Sequence, residues 1–390
     1  MNQNVLLLAL SQAAVMTTIS LVLSSSALVG VQLSSPNLST VPLAIQYLAT
    51  MLALYPVAKL MEHYGRRSVF CTGALIGALG LAVAAMGIRF GSFALFAVAG
   101  FLIGTFNAVG QYYRFAAADA VSVDRKNMAI SLTLTGGLLA AVAGPMLARW
   151  SKEALQPSFY ASFLALIGVA LLGALFATGL KLPPMVQADH RETPRSLAEI
   201  ARNPRFVLAV VGGVVGYAVM NLLMTATPLA MMCSRFSFSQ TAEVIQWHVV
   251  AMFAPSLFTG ALIQRVGTLP VMLLGCVLNL GSIAISQMGS ELSHFEVALI
   301  LLGIGWNFLY VGATSLLTET YRKEEKARIQ AFNDTLVFMS VTVVTMFSGT
   351  MVNTLGWQVL NMYAAAPIFL VIVGIVLQMK WPQISWMRVG

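Results

Sequence analysis

Asn107, Gln111 and Arg114 stand at i, i+4 and i+7 inside an otherwise apolar run, which puts all three on one face of a helix. Asn307, Tyr310 and Thr314 repeat the pattern at i, i+3 and i+7 in a later run, and Tyr217, Asn221 and Thr225 stand at i, i+4 and i+8 in another. In the first run Gln12 lies about two turns from Thr18 and Ser20. Amides, hydroxyls and one guanidinium do hydrogen-bonding chemistry: they hold a polar solute, or they hold one another. Trp247, Trp306 and Tyr310 add flat faces on which a planar ligand can stack. Gln46 and His248 lie 202 positions apart in two further runs. An unperturbed imidazole titrates near pH 6.5, so His248 has three readings: proton carrier, substrate contact, or a hydrogen bond between helices. Asp334 is the deepest acid, about one and a half turns into its run, and with Arg114 it makes a candidate pair of gate charges. Its other reading is neutralisation of the basic loop Arg322–Arg328.

These residues do not add up to an enzyme. HExxH, a nucleophile motif and a phosphate-binding Walker loop are all missing. Cys71, Cys233 and Cys276 are scattered, with no metal-ligand spacing. No cofactor or metal is expected. A channel would need a repeated filter sequence, and none appears. A membrane receptor that transports nothing remains an alternative to a carrier.

The elements that position these side chains follow from composition. Of 390 residues, 58% are hydrophobic and 9% charged, against about 25% charged in a soluble domain. Mean hydropathy is +0.82. Most of the surface must therefore face lipid. The net charge of +8 sits in short loops rather than on a nucleic-acid-binding face. Twelve segments reach the length of about 20 residues needed to span a bilayer: 5–31, 41–61, 68–88, 93–116, 128–148, 158–180, 206–231, 242–263, 269–288, 294–317, 329–351 and 358–380. Each is too long for a membrane strand, so the expected fold is all-α. The first run has no basic stretch before it and no small-residue cleavage site, and reads as a span rather than a removed signal. With the N-terminus inside, the outer loops hold Arg89, Arg149, Lys152 and Arg235, and the other 18 of 22 Lys and Arg lie inside. The positive-inside rule then places both termini on the cytoplasmic side of the membrane. The proline-rich stretch 182–205 reads as a cytoplasmic linker, with a short helix over 196–201, between halves 1–181 and 206–390.

The halves repeat one another. Ala58-Lys-Leu-Met-Glu-His-Tyr-Gly-Arg-Arg67 and Gly260-Ala-Leu-Ile-Gln-Arg-Val-Gly267 each join two spans, with Gly65 and Gly267 202 apart. At an offset of 200, Asn107 meets Asn307, Asp119 meets Glu319, Asp124 meets Glu324 and Lys126 meets Lys326. Such internal repetition marks many secondary transporters.

Two six-helix halves with these loops resemble the major facilitator superfamily along nearly the whole chain. The signature loop of that family, Gly-x-x-x-Asp-Arg-x-Gly-Arg-Arg, is kept here at Gly65, Arg66 and Arg67. Ala58 replaces its first glycine, Glu62 its aspartate and His63 its first arginine. The resemblance implies that Glu62, Gly65, Arg66 and Gly267, with Asp119 and Glu319 at inner helix ends, latch the halves in the outward-open state. It also implies that spans 1, 4, 7 and 10 line a central cavity, which makes Gln12, Asn107, Gln111, Arg114, Tyr217, Asn221, Trp306, Asn307 and Tyr310 its lining, joined by Gln46, Trp247 and His248. Gly136-Gly137 and Gly144-Pro145 in span 5 resemble the export signature without its final Gly-Gly. The implied function is alternating-access transport of a small organic solute by a monomer in membrane lipid. Export of a neutral or anionic amphipathic compound and import of a planar nutrient such as a vitamin both fit, with proton coupling or uniport.

Overall fold

The computed structural model describes residues 2–122, 126–182, 195–322 and 325–380. Its regular structure is helical throughout these residues, as a lipid environment requires of backbone that has no water to bond to. In chain order the helices are α1 (Gln3–Leu33), α2 (Val41–Tyr64), α3 (Arg66–Arg89), α4 (Phe93–Gly110), α5 (Tyr113–Asp119), α6 (Lys126–Ser151), α7 (Tyr160–Thr178) and α8 (Leu197–Ile200). They continue as α9 (Pro204–Cys233), α10 (Phe238–Phe253), α11 (Ser256–Val266), α12 (Thr268–Met288), α13 (Leu292–Thr318), α14 (Lys326–Leu355) and α15 (Trp357–Lys380).

Polar residues at the loop edges start these helices. Asn2, Ser92 and Asn203 each cap a first turn by accepting from a backbone N–H, and Ser237 with Gln240 forms a reciprocal capping box. Glycine at left-handed φ stops three of them, Gly356 (φ 80, ψ 167) at the end of α14 among them. Gly65 (φ 78, ψ 152) turns α2 into α3, and Gly267 (φ 93, ψ 160) turns α11 into α12. The two loops paired by sequence therefore share one backbone shape, in a region that is essentially glycine-only. A Cβ on Gly65 would meet nothing within 4 Å, so glycine is needed there for its dihedrals, not for space.

Ten helices among the described residues are long and apolar enough to cross a membrane, eleven if the bent pair α10–α11 is one span. This is fewer than the twelve expected. The segment 242–263 is not one helix: the chain breaks at Ala254–Pro255 and bends by 41°, because proline lacks the N–H that the helical ladder needs. The segment 128–148 lies within α6, several of whose side chains fall outside the described residues. The segment 93–116 is also interrupted, at Gln111–Tyr112 between α4 and α5. The linker's short helix is present as α8, capped by Ser196. Pro183, Pro184, Pro194, Asp124 and Glu324 lie outside the described residues, as do the side chains of Lys126 and Lys326.

Buried apolar side chains gather into two main clusters. One is drawn from Val5 to Leu180. The other runs from Ile200 to Ile375 and takes in Ala27 and Ala141. Within the first, α1 packs along α6, and α3 along α4 and α7; within the second, α12 packs along α13, and α9 along α13 and α14. Between them, α2 meets α14 and α6 meets α10.

Candidate functional site

The hydrogen bonds that cross between residues 2–182 and 204–380 all lie at one end among the described residues. Thr40 Oγ1 donates to Met346 O (3.4 Å) and accepts from Gly349 N (3.3 Å), and Thr350 Oγ1 donates to Asn37 O (3.0 Å). At the same end Phe159 meets Phe238 edge to face, and Lys152 Nζ lies over the Phe238 ring. A smaller cross-contact lies deeper, where Tyr47 of α2 packs with Val337, Phe338 and Val341 of α14. The end that carries Gly65 and Gly267 is different: among the described residues, ion pairs there lie within one set of helices. Arg66 Nη2 is 2.6 Å from Asp119, Arg205 Nη1 is 3.0 Å from Glu319, and Glu62 pairs with Lys59 one turn back in its own helix. The molecule is thus closed at the Thr40 end, and among the described residues the Glu62 and Arg66 ion pairs of the signature loop stay within their own half.

At the level of the deeper contact sits an aromatic group. Trp306 and Tyr310 stack with planes 11° apart and centroids 5.3 Å apart. Tyr217 meets both edge-on, at 5.5 and 5.2 Å, and Phe338 lies 6.2 Å from it. Arg114, on α5 in one half, and Asp334, on α14 in the other, carry opposite charges and make no direct ion pair with each other. Asn333 Nδ2 donates to the Asp334 carboxylate at 3.2 Å. Trp306 Nε1 in this group is buried without a protein partner, as are Arg114 Nε on α5, Gln46 Nε2 on α2 and Thr225 Oγ1 on α9. A planar face beside unpaired donors and one charge of each sign can hold a flat, polar-edged solute.

Other expected lining residues are engaged elsewhere. Asn307 is buried and its amide is taken up: Nδ2 donates to Met252 O (2.7 Å) and Ser256 Oγ (2.6 Å), and Oδ1 accepts from Thr259 (2.7 Å). Asn107 donates to Thr50 on α2 and accepts from Gln111 at 3.3 Å, and Asn221 donates to Thr345 on α14. His248 is fully buried, with Nδ1 2.7 Å from Leu299 O. That contact joins two helices, while Nε2 is buried without a protein partner and stays available to a solute or a proton. Trp247 is 47% exposed, because one residue before His248 is a 100° turn round the helix; it does not join the aromatic group. Gln12 is buried beside Gly136. Gly136 and Gly144 let α6 approach α1, since a Cβ there would come within 2.5 Å of Ala9 O and 2.7 Å of Ser20 Cβ. The glycines of span 5 are thus packing residues here.

The chain matches the family model described as Major Facilitator Superfamily over residues 5–246 and 211–382. It belongs to that superfamily. It is therefore an integral membrane protein of the transporter class and not an enzyme. The riboflavin transporter RfnT of Brucella anthropi is 40% identical over 385 residues, covering 97% of this chain and 96% of that protein. The uncharacterized MFS-type transporter YdeG of Bacillus subtilis is 28% identical over 349 residues, covering 85% of this chain and 79% of that protein. YddS of the same organism, with the same description, is 25% identical over 352 residues, covering 85% and 80%.

Sequence reasoning missed Tyr47 and Phe338, which close the floor of the aromatic group from both halves. It also missed Ser256 and Thr259. The available signal was Pro255, which marks a break whose freed groups need partners.

Proposed function

We propose that this chain carries riboflavin, or a flavin close to it, across the bacterial inner membrane by alternating access. The observation that carries the reading is the 40% identity to the riboflavin transporter of B. anthropi over nearly the full length of both proteins. The stacked Trp306–Tyr310 pair supports it, because a tricyclic ring needs a wide apolar face. Arg114, Gln46 Nε2 and Trp306 Nε1 supply donors for the ring carbonyls and the hydroxylated chain. Uptake of a vitamin is the direction this reading favours over export.

In this proposal the halves 1–181 and 206–390, joined by the linker 182–205, rock about the central group, with both termini in the cytoplasm and the monomer as the working unit. The common backbone shape at Gly65 and Gly267 and the two apolar clusters support that division. Contacts gathered at the Thr40 end correspond to a state open to the cytoplasm, with the Glu62 loop released. Asp334, facing Arg114 across the halves, is the proposed coupling acid.

Counterflow in proteoliposomes tests the substrate. Labelled riboflavin should enter vesicles preloaded with unlabelled riboflavin faster than empty ones, and saturably. A lack of trans-stimulation, or equal inhibition by unrelated planar solutes, would remove the riboflavin reading. Stronger inhibition by the phosphorylated flavin than by riboflavin would move the assignment to an anionic flavin bound through Arg114.

A further inference from the structure

Pro255 has no N–H, and the residues after it restart as a separate helix. Met252 O, in the last turn before the break, accepts a hydrogen bond from Asn307 Nδ2 on α13. The same Asn307 side chain also bonds Ser256 Oγ and Thr259 Oγ1, both on the far side of the break. One buried amide therefore grips both arms of a helix bent by 41°. Thr259 is the one buried residue of α11; Leu257 is 71% and Phe258 52% exposed. The neighbours of α11 are α10, α12 and α13, all in its own half, whereas α10 above it packs along α6 in the other half. The break is thus where the α10–α11 pair parts from the opposite half.

The corresponding helix in the first half is different. α2 runs unbroken through Pro56 from Val41 to Tyr64. Its partner Asn107 reaches only Thr50, on one side of the proline, at 3.3 Å. The repeat is preserved in the asparagine and lost in the grip. Only the copy with a broken helix has an amide bonded on both sides.

We propose that Asn307 is a positioning residue: its three hydrogen bonds set the angle of α11 at the Pro255 break, and so set how far the Gly267 end opens during transport. It does not touch the solute. The proposal rests on the carrier reading of the chain but not on riboflavin as the cargo, and its first test needs no substrate.

That test is a spin-label distance measurement in proteoliposomes, between Leu257→Cys on α11 and Thr318→Cys at the end of α13. Both sites are exposed, and Cys71, Cys233 and Cys276 are first replaced. The parent should give one narrow distance. Asn307→Ala should give a broadened or second population, and Thr259→Val, which removes the Thr259 bonds to Asn307 Oδ1 and to Pro255 O and leaves Asn307 in place, should move the distribution the same way by less. Adding Pro255→Ala to Asn307→Ala should restore one population, because residue 255 regains its N–H. Should Asn307→Ala fail to fold, Thr259→Val and Ser256→Ala carry the test. In counterflow Asn307→Ala should lower turnover by about tenfold or more, as loss of three hydrogen bonds implies, with riboflavin affinity held within about twofold. Unchanged distances in Thr259→Val and in whichever other clamp variant folds would overturn the proposal. So would a raised Kd with unchanged distances, which would make Asn307 a lining residue.

Discussion

Trp306 and Tyr310 lie one helical turn apart on α13 with their rings 5.3 Å apart and 11° from parallel. Tyr217 of α9 stands edge-on to both, which holds the stack at a fixed orientation. Tyr310 should therefore act as a ready platform for a planar solute. A stacked aromatic contact contributes about 1–3 kcal/mol, so Tyr310→Ala should weaken riboflavin binding by roughly tenfold or more, and Tyr310→Phe should leave it within a small factor. Equilibrium binding to the detergent-solubilised protein measures this. Equal affinity in Tyr310→Ala and the parent would place the solute elsewhere.

Arg114 and Asp334 carry opposite charges on the two halves and make no ion pair with each other, so each is available to a solute or a proton. If Asp334 is the coupling acid, Asp334→Asn should abolish stimulation of uptake by a pH gradient while counterflow continues, because exchange needs no net proton movement. Arg114→Gln should weaken binding while leaving the gradient effect in place. Stimulation that survives in Asp334→Asn would leave the chain a uniporter or move the proton to another group.

The apolar runs announced the helices, since a span must bury a continuous stretch of side chains in lipid. The 202-residue repeat likewise announced two equivalent corners, because Gly65 and Gly267 answer to local dihedrals. What the pattern left open was which partner each polar side chain meets. Asn307 sits on the expected face of its helix, yet its bonds go to groups 48 to 55 positions away, exposed only because Pro255 breaks the helix opposite. Trp247 fails for a smaller reason: one residue changes the direction by 100°, and in an apolar helix the sequence carries no mark of which side is lipid. Helical phase thus identified faces, while neighbours depended on close approaches such as Gly303 against His248 O.

Gly65 adopts φ 78 and ψ 152 with open space around its missing Cβ. Any side chain there imposes strain of about 1–3 kcal/mol. Gly65→Ala should therefore slow counterflow nearly as much as Gly65→Leu, with both proteins inserted in the membrane and folded by thermal unfolding in detergent. An alanine variant with normal rates would mean that the loop's conformation does not matter to the transport cycle, and the latch reading of Gly65 would fail with it.

Glu325 begins α14 with a side chain 1% exposed and receives three hydrogen bonds from Arg195 and one from the Arg322 backbone. The Arg195 guanidinium holds the Glu325 carboxyl well below its ordinary value, down to about 2. A carboxyl with a lowered pKa in the folded state gives stability that is present above its unfolded pKa, near 4.5, and is lost as pH falls toward about 2. The linker residue Arg195 should then release from α14 in that window. Thermal stability followed from pH 7 down through about pH 3 should fall more steeply in the parent than in Glu325→Gln, which has no carboxyl to protonate. Arg195→Ala should be the more damaging change at neutral pH, since it leaves a buried carboxylate without its cation. Parallel curves for the parent and Glu325→Gln would show that the pair contributes nothing to holding the linker on α14.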